Sequence, residues 1–329
     1  MSDPAAQRSP LAHLDFLYPP IEADQSGYLE PQDGHSVWWE ASGAPEGLPV
    51  LFLHGGPGAP SRPHHRQFFD PAGYRMITLH QRGCGRSTPL AETHANTTQT
   101  LVADIERLRV HLQIDRWLIM GGSWGSALAL AYGEAHPERC LGFVLLGVTL
   151  NRPGDWGWWW NGTRMLFPEA FDAFVSKLPP TLRATPLQGY HHQLMDPDPR
   201  IHLPAAKALC MFSAATVARR PSPAQAAAYD DPDVALPLAR LFTHYSANGF
   251  FLGPNQLLEG LDVLVDKPCA ILGGRYDVTT PMECAWRLHR AWPGSTLTIQ
   301  EDGAHALSDP ASARALLDAL ETMKSRLRS

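Results

Sequence analysis

The sequence predicts an α/β protein: a mostly parallel sheet flanked by helices, with an inserted α-helical cap. Three observations predict it. Short, almost continuously apolar runs such as Val50–Leu53 and Leu118–Met120 read as strands buried on both faces, the texture of parallel sheets. These runs alternate with helical patterns up to about residue 150 and resume after about residue 258. The stretch between them holds helical fragments broken by prolines and no run of that kind. The expected division is therefore 1–150 for the first part of the core, 151–258 for the cap and 259–329 for the second part of the core.

The elements follow in chain order. Residues 1 to about 25 are weakly patterned and read as an arm. Tyr28 to Glu30 and Val37 to Glu40 form a hairpin signal around Pro31-Gln32-Asp33-Gly34. Pro49 to Leu53 is a buried strand that runs into His54-Gly55-Gly56-Pro57-Gly58, and Arg75 to Leu79 is another. From Thr98 to Leu112, Leu101, Ile105, Leu108 and Leu112 recur at helical spacing behind a cap in Asn96-Thr97-Thr98. Trp117 to Met120 is a strand, Ala127 to Ala131 the start of a small-residue helix, and Leu141 to Val148 a further strand. Asp155 to Trp160 holds four tryptophans, which suit either packing between cap and core or a substrate pocket. Pro268 to Leu272 and Ser295 to Ile299 restore the strand pattern, with helices over Glu283 to Ala291 and Ala311 to Leu327.

The chain of 329 residues is 44% hydrophobic and 18% charged, with a formal charge of −6, so it can bury a sizeable core and shows no basic footprint for nucleic acid or anionic membrane. Five scattered cysteines without CxxC spacing argue against a disulfide framework and a zinc site. The histidine pairs His64-His65 and His191-His192 read as structural or solvated, so neither metal nor cofactor is expected. With no signal-peptide pattern at Met1-Ser2-Asp3-Pro4 and no membrane-length apolar run, the expected location is cytoplasmic and the expected partner a small molecule or short peptide.

The chemistry centres on Gly121-Gly122-Ser123-Trp124-Gly125, a Gly-x-Ser-x-Gly between a buried strand and a helix. That context holds a nucleophilic serine on a sharp elbow, with the helix N-terminus facing the developing oxyanion. Asp277 and His305 stand where two later strands end, and ligands of open α/β sheets bind beyond such ends. The chain order Ser, Asp, His is the α/β-hydrolase order. His305 would take the proton of Ser123, and Asp277 would fix the imidazole tautomer; Asp302 lies too close to His305 in sequence to serve easily. The backbone N–H groups of Trp124 and Gly56 are the expected oxyanion donors, and His54 reads as a residue that orders its loop.

Taken together, His54–Gly58, Gln81-Arg82-Gly83-Cys84-Gly85-Arg86-Ser87, Asp104–Arg109, the elbow and Gly273-Gly274-Arg275-Tyr276-Asp277 resemble the proline iminopeptidases. The resemblance runs from about Tyr28 onward. It implies an α/β-hydrolase core, a helical cap, no metal, release of N-terminal proline from peptides through an acyl-enzyme, and the triad Ser123, Asp277 and His305.

The cap departs from that pattern. Where the family carries a glutamate that helps hold the substrate's amine, Leu209-Cys210-Met211-Phe212-Ser213 places Ser213. Where a second glutamate is expected, Leu241-Phe242-Thr243-His244-Tyr245 places Phe242, and His80 replaces an aspartate before Gln81. Each charge-assisted hydrogen bond to a buried amine is worth about 1.5–3 kcal/mol, so losing two can weaken binding by a thousandfold or more. Ser213, Phe242, Phe212 and Tyr245 are the expected substrate contacts, with Asp155 and Glu169 as acids that could stand in. An esterase or amidase for small apolar acyl groups is the alternative, and a ligand-binding α/β-hydrolase without catalysis is a third.

Overall fold

The structure, a computed structural model, describes residues 11–220 and 222–328. The described residues form eight strands: β1 (Gln25–Tyr28), β2 (Trp38–Gly43), β3 (Leu48–Leu53), β4 (Tyr74–Leu79), β5 (Trp117–Gly122), β6 (Cys140–Leu146), β7 (Cys269–Gly274) and β8 (Thr296–Gln300). They make one sheet in the order β1-β2-β4-β3-β5-β6-β7-β8. Strand β2 pairs antiparallel with β1 and β4, and every other neighbouring pair is parallel. The carboxyl ends of β3, β5, β6, β7 and β8 consequently open onto the same edge, which is where a site on this sheet can assemble.

The apolar runs are continuous because both faces are covered. Leu51 and Ile119 face a core built with Leu101, Ile105 and Leu108 of α1 (Thr98–His111) and with α2 (Trp124–Ala135). Val50, Phe52, Leu118 and Met120 face the opposite core, closed later in the chain by Leu316 and Leu320. Thr97 caps α1, its hydroxyl accepting from the Thr100 N–H.

Between β6 and β7 lie α3 (Pro153–Asn161), α4 (Pro168–Ser176), α5 (Pro186–Met195), α6 (Pro199–Thr216), α7 (Pro223–Ala228), α8 (Pro232–Ala247) and α9 (Gln256–Glu259). Helices α10 (Met282–Ala291) and α11 (Pro310–Arg328) complete the fold. Six of these inserted helices open on proline. Several of the prolines that the sequence reading treats as breaks are starts: the first helical residue needs no N–H partner, and proline's fixed φ suits it. Trp160, Phe171, Phe174, Tyr190 and Phe212 give the insertion a core of its own.

The expected N-terminal arm lies outside the described residues up to residue 10; beyond it the chain is docked rather than loose, since Leu11 and Leu14 are buried in the sheet core and Arg314 lies over the Phe16 ring at 3.7 Å. All five cysteines are buried free thiols. Among the described residues no helix is long and apolar enough to cross a membrane.

Candidate active site

Strand β5 delivers Ser123 with φ 56° and ψ −129°, a backbone conformation disfavoured for any side chain bearing a Cβ. Neighbouring glycines make the turn sterically feasible. A Cβ on Gly125 would lie 2.0 Å from the Leu53 carbonyl oxygen, and one on Gly121 would lie 2.2 Å from the Gly125 oxygen. The Ser123 N–H donates to Leu146 O at 2.9 Å, fastening the elbow to the end of β6.

His305, from the loop after β8, donates from Nδ1 to Asp277 Oδ2 at 2.8 Å. Asp277 is fixed by three further donors. Its Oδ1 accepts from the Thr279 and Thr280 N–H groups at 2.9 and 2.8 Å, and its Oδ2 accepts from Thr280 Oγ1 at 2.7 Å. Burial alone would lower the His305 pKa, but the charge and hydrogen bond of Asp277 outweigh it and hold it above the ordinary imidazole value. Asp302 is exposed and lies near Arg219 at 3.7 Å, away from His305's carboxylate partner.

Ser123 and His305 line one cavity of about 420 Å³, and Gly56 and Trp124 line it with them. Gly55 packs against Ser123: a Cβ there would stand 3.1 Å from Ser123 Cβ. His54 is buried and spends both nitrogens on structure, with Nδ1 on Gly55 O at 3.0 Å and Nε2 accepting from the Gln81 N–H at 3.0 Å. Burial pushes its pKa down to about 3, so it stays neutral and is no proton store at physiological pH. Gln81 then accepts from Trp124 Nε1 at 2.8 Å and donates to His54 O at 2.9 Å. One glutamine thus joins the glycine-rich loop, its own turn and the elbow. Sequence reasoning places Gln81 in a motif but not in this role, and it misses Thr280; the spacing of three from Asp277 is the available signal.

The substrate wall divides the expected contacts. Ser213 of α6 and Phe242 of α8 line the cavity. Phe212 and Tyr245 do not. Phe212 lies in the cap core, stacked on Phe174 at 4.6 Å, because adjacent helical residues point about 100° apart. Tyr245 is buried behind Trp124 at 5.1 Å, with its hydroxyl donating to Asn96 Oδ1 at 2.8 Å. The tryptophans divide too: Trp156 and Trp159 line the cavity, Trp160 is buried in the cap core, and Trp158 Nε1 donates to Val278 O at 2.7 Å, tying cap to core.

Among the described residues lining the cavity, Asp155 is the only carboxylate, and it is already engaged. Arg152 donates to it from Nη2 at 2.8 Å and from its backbone N–H at 3.0 Å. Glu169 is exposed and outside the cavity wall. Asp155, Glu283 and Cys284 bring three ligand-type atoms within 4.8 Å of one another, but the Arg152 guanidinium bridges Asp155 and Glu283 and places a cation where a metal would stand. The rings of His64 and His65 are in contact at 4.5 Å, and the lone pair of His65 Nδ1 accepts from the Arg62 N–H.

The chain is similar to known proteins in sequence and in fold. Residues 49–311 match the model of the alpha/beta hydrolase fold family. The chain is 43% identical over 307 residues to a probable proline iminopeptidase of Leptolyngbya boryana, covering 93% of this chain and 96% of that protein. It is 42% identical over 311 residues to a proline iminopeptidase of Arabidopsis thaliana, covering 94% and 82%. The solved structure of a Mycobacterium smegmatis proline iminopeptidase superposes with a TM-score of 0.58 at 23% identity, covering 92% and 99%. That of a putative aryl esterase from Burkholderia cenocepacia gives 0.64 at 17% identity, covering 93% and 100%. These two likenesses speak for the fold.

Proposed function

Because the chain belongs to the proline iminopeptidase family of α/β-hydrolases, we propose that it is a serine hydrolase that releases N-terminal proline, or a similar small residue, from short peptides. The observation that carries the mechanism is the His305–Asp277 hydrogen bond, with His305 and Ser123 lining one cavity. In this reading Ser123 Oγ attacks the scissile carbonyl while His305 Nε2 takes its proton. Asp277 keeps the imidazole proton on Nδ1 and stabilises the cation that forms. The N–H groups of Trp124 and Gly56 receive the oxyanion. Collapse breaks the C–N bond, and His305 returns the proton to the leaving amine. Water, deprotonated by His305, then cleaves the acyl-enzyme. In this reading the chain divides at 151 and 258 into core, cap and core, with the insertion as a lid above Ser123, and the free thiols support a cytoplasmic location.

A fluorophosphonate probe and proline p-nitroanilide test this reading. Wild type is expected to be labelled at Ser123 and to turn over, and Ser123→Ala to do neither while melting at the wild-type temperature. Turnover retained in Ser123→Ala would reject the elbow serine as nucleophile.

One observation favours a second reading. Ser213 and Phe242 contribute no charge to the cavity, and Asp155 is paired with Arg152, so an acyl group without a free amine suits the wall better. Comparing kcat/KM on prolyl and cyclopentanecarbonyl p-nitroanilides decides between them, and a strong prolyl preference defeats the second.

A further inference from the structure

Asn151 follows β6 and enters the cavity wall beside Ser123. It is 4% exposed, and its φ of 55° lies in the left-handed region. Its Oδ1 accepts from Thr149 Oγ1 at 3.0 Å, while its Nδ2 is buried without a hydrogen-bond partner. The amide is also indexed to the nucleophile. The Thr149 N–H donates to Ser126 Oγ at 3.2 Å, and Ser126 Oγ donates to Ser123 O at 2.6 Å.

Packing does not account for this residue. A leucine would fill the same space in a wall shared with Trp156 and Phe250 without an orphaned N–H, and without a polar group to desolvate. Asparagine tolerates a left-handed φ, so the backbone explains the residue type; the unmet buried donor on a residue that lines the cavity is what marks a group kept for a ligand.

We propose that Asn151 selects the substrate: its Nδ2 donates to an uncharged lone pair on the acyl group held at Ser123, an ether, hydroxyl or carbonyl oxygen or an unprotonated amine nitrogen. The inference rests on Ser123 as the nucleophile and goes beyond the class of bond cleaved. An ammonium has no lone pair to offer this donor, and the cavity's carboxylate already serves Arg152. The favoured acyl group therefore carries a neutral acceptor.

The test uses full-length enzyme at pH 7 and three p-nitroanilides with five-membered rings: tetrahydrofuran-2-carbonyl, cyclopentanecarbonyl and prolyl. In wild type kcat/KM is expected to be at least tenfold higher for the tetrahydrofuran ring than for the cyclopentane ring. Asn151→Leu brings that ratio below threefold, through KM rather than kcat. Asn151→Asp, which supplies an acceptor and a charge, shifts preference toward the prolyl substrate. Titration of the matching ring carboxamides into Ser123→Ala reads the same ratio without turnover. An unchanged ratio in Asn151→Leu overturns the proposal, as does an equal fall on all three substrates, which would mark a structural residue. A prolyl-over-cyclopentane preference that Asn151→Leu abolishes and that grows as pH falls also overturns it, because the amide would then present its oxygen to an ammonium. Failure of Ser123 labelling in folded wild type refutes the nucleophile separately from the Asn151 ratio.

Discussion

Replacing Asp277 by asparagine isolates the orienting role of the carboxylate. The two N–H groups of Thr279 and Thr280, at 2.9 and 2.8 Å from Oδ1, admit only an acceptor on that side. The introduced amide must then turn its NH₂ toward Thr280 Oγ1 and His305 Nδ1, which lie 2.7 and 2.8 Å from the present Oδ2. The threonine hydroxyl can rotate and accept; the imidazole can accept only by moving its proton from Nδ1 to Nε2. That tautomer presents an N–H to Ser123 where a lone pair is needed. A serine-triad imidazole held in the wrong tautomer loses about 10⁴ in kcat, or about 5.5 kcal/mol of transition-state stabilisation. The pH profile supplies a second readout. With Asp277 in place the His305 pKa is raised, so kcat/KM on a non-titrating substrate falls as pH drops through a value above 6.5. Without the carboxylate, burial dominates and the limb moves below 6.5. Steady-state kinetics on cyclopentanecarbonyl p-nitroanilide from pH 5 to 9, with melting curves as the fold control, measures both. A folded Asp277→Asn variant within tenfold of wild type, with an unmoved acid limb, would refute this account of the triad.

The other predictions concern the scaffold. Asp104→Asn breaks a bidentate pair with Arg82, at 2.6 and 2.9 Å and 1% exposure on both sides, and is expected to lower unfolding free energy by about 3–5 kcal/mol in urea titration; a loss under 1 kcal/mol contradicts it. Glu134 is half-buried with Oε1 unpartnered, and burial raises its pKa from 4.5 to about 7, so the folded state holds the proton more tightly. Its favourable contribution is complete below pH 4.5 and lost as pH rises through 7, so Glu134→Gln should melt above wild type at pH 8 and level with it at pH 4.5; a gap independent of pH counts against this. Gly125→Ala drives a Cβ to 2.0 Å from the Leu53 carbonyl oxygen, and both stability and fluorophosphonate labelling of Ser123 should fall together; labelling at the wild-type rate would show that the elbow tolerates a methyl.

The machinery is more legible in the sequence than the pocket, for physical reasons. Ser123, Asp277 and His305 stand at the ends of apolar strands, and parallel pairing sends those ends to one edge, so short local patterns carry a long-range arrangement. Prolines at 168, 186, 199 and 232 look like interruptions because proline's local effect is the same whether it ends one helix or begins the next. Phe212 and Tyr245 attract notice only by standing close to departures from the family pattern. Which face of a cap helix meets the cavity depends on how α6 and α8 pack together, and sequence neighbourhood does not carry that. Asn151 has no motif to announce it, and becomes visible only through its burial, its φ and its unmet donor.

The cavity's electrostatics decide how such machinery is used. A protonated amine brought into an aromatic wall forfeits its hydration. Two carboxylates would return about 3–6 kcal/mol through charge-assisted hydrogen bonds. Here Ser213 offers a neutral hydroxyl, Phe242 offers a ring packed on Trp159 at 4.8 Å, and Asp155 is held by Arg152. A cation over the face of Trp156 or Trp159 would recover about 0.5–2 kcal/mol, short of what two carboxylates supply. Taking the carboxylate of Asp155 from Arg152 would leave a guanidinium less well paired beside Glu283, so that route transfers the deficit instead of removing it. An amine entering as the free base avoids the deficit, since its lone pair is what the unpaired Nδ2 of Asn151 can meet. On the proposed reading the catalytic groups thus act on the carbonyl alike for any acyl group, while the wall discriminates by charge state before the serine is reached.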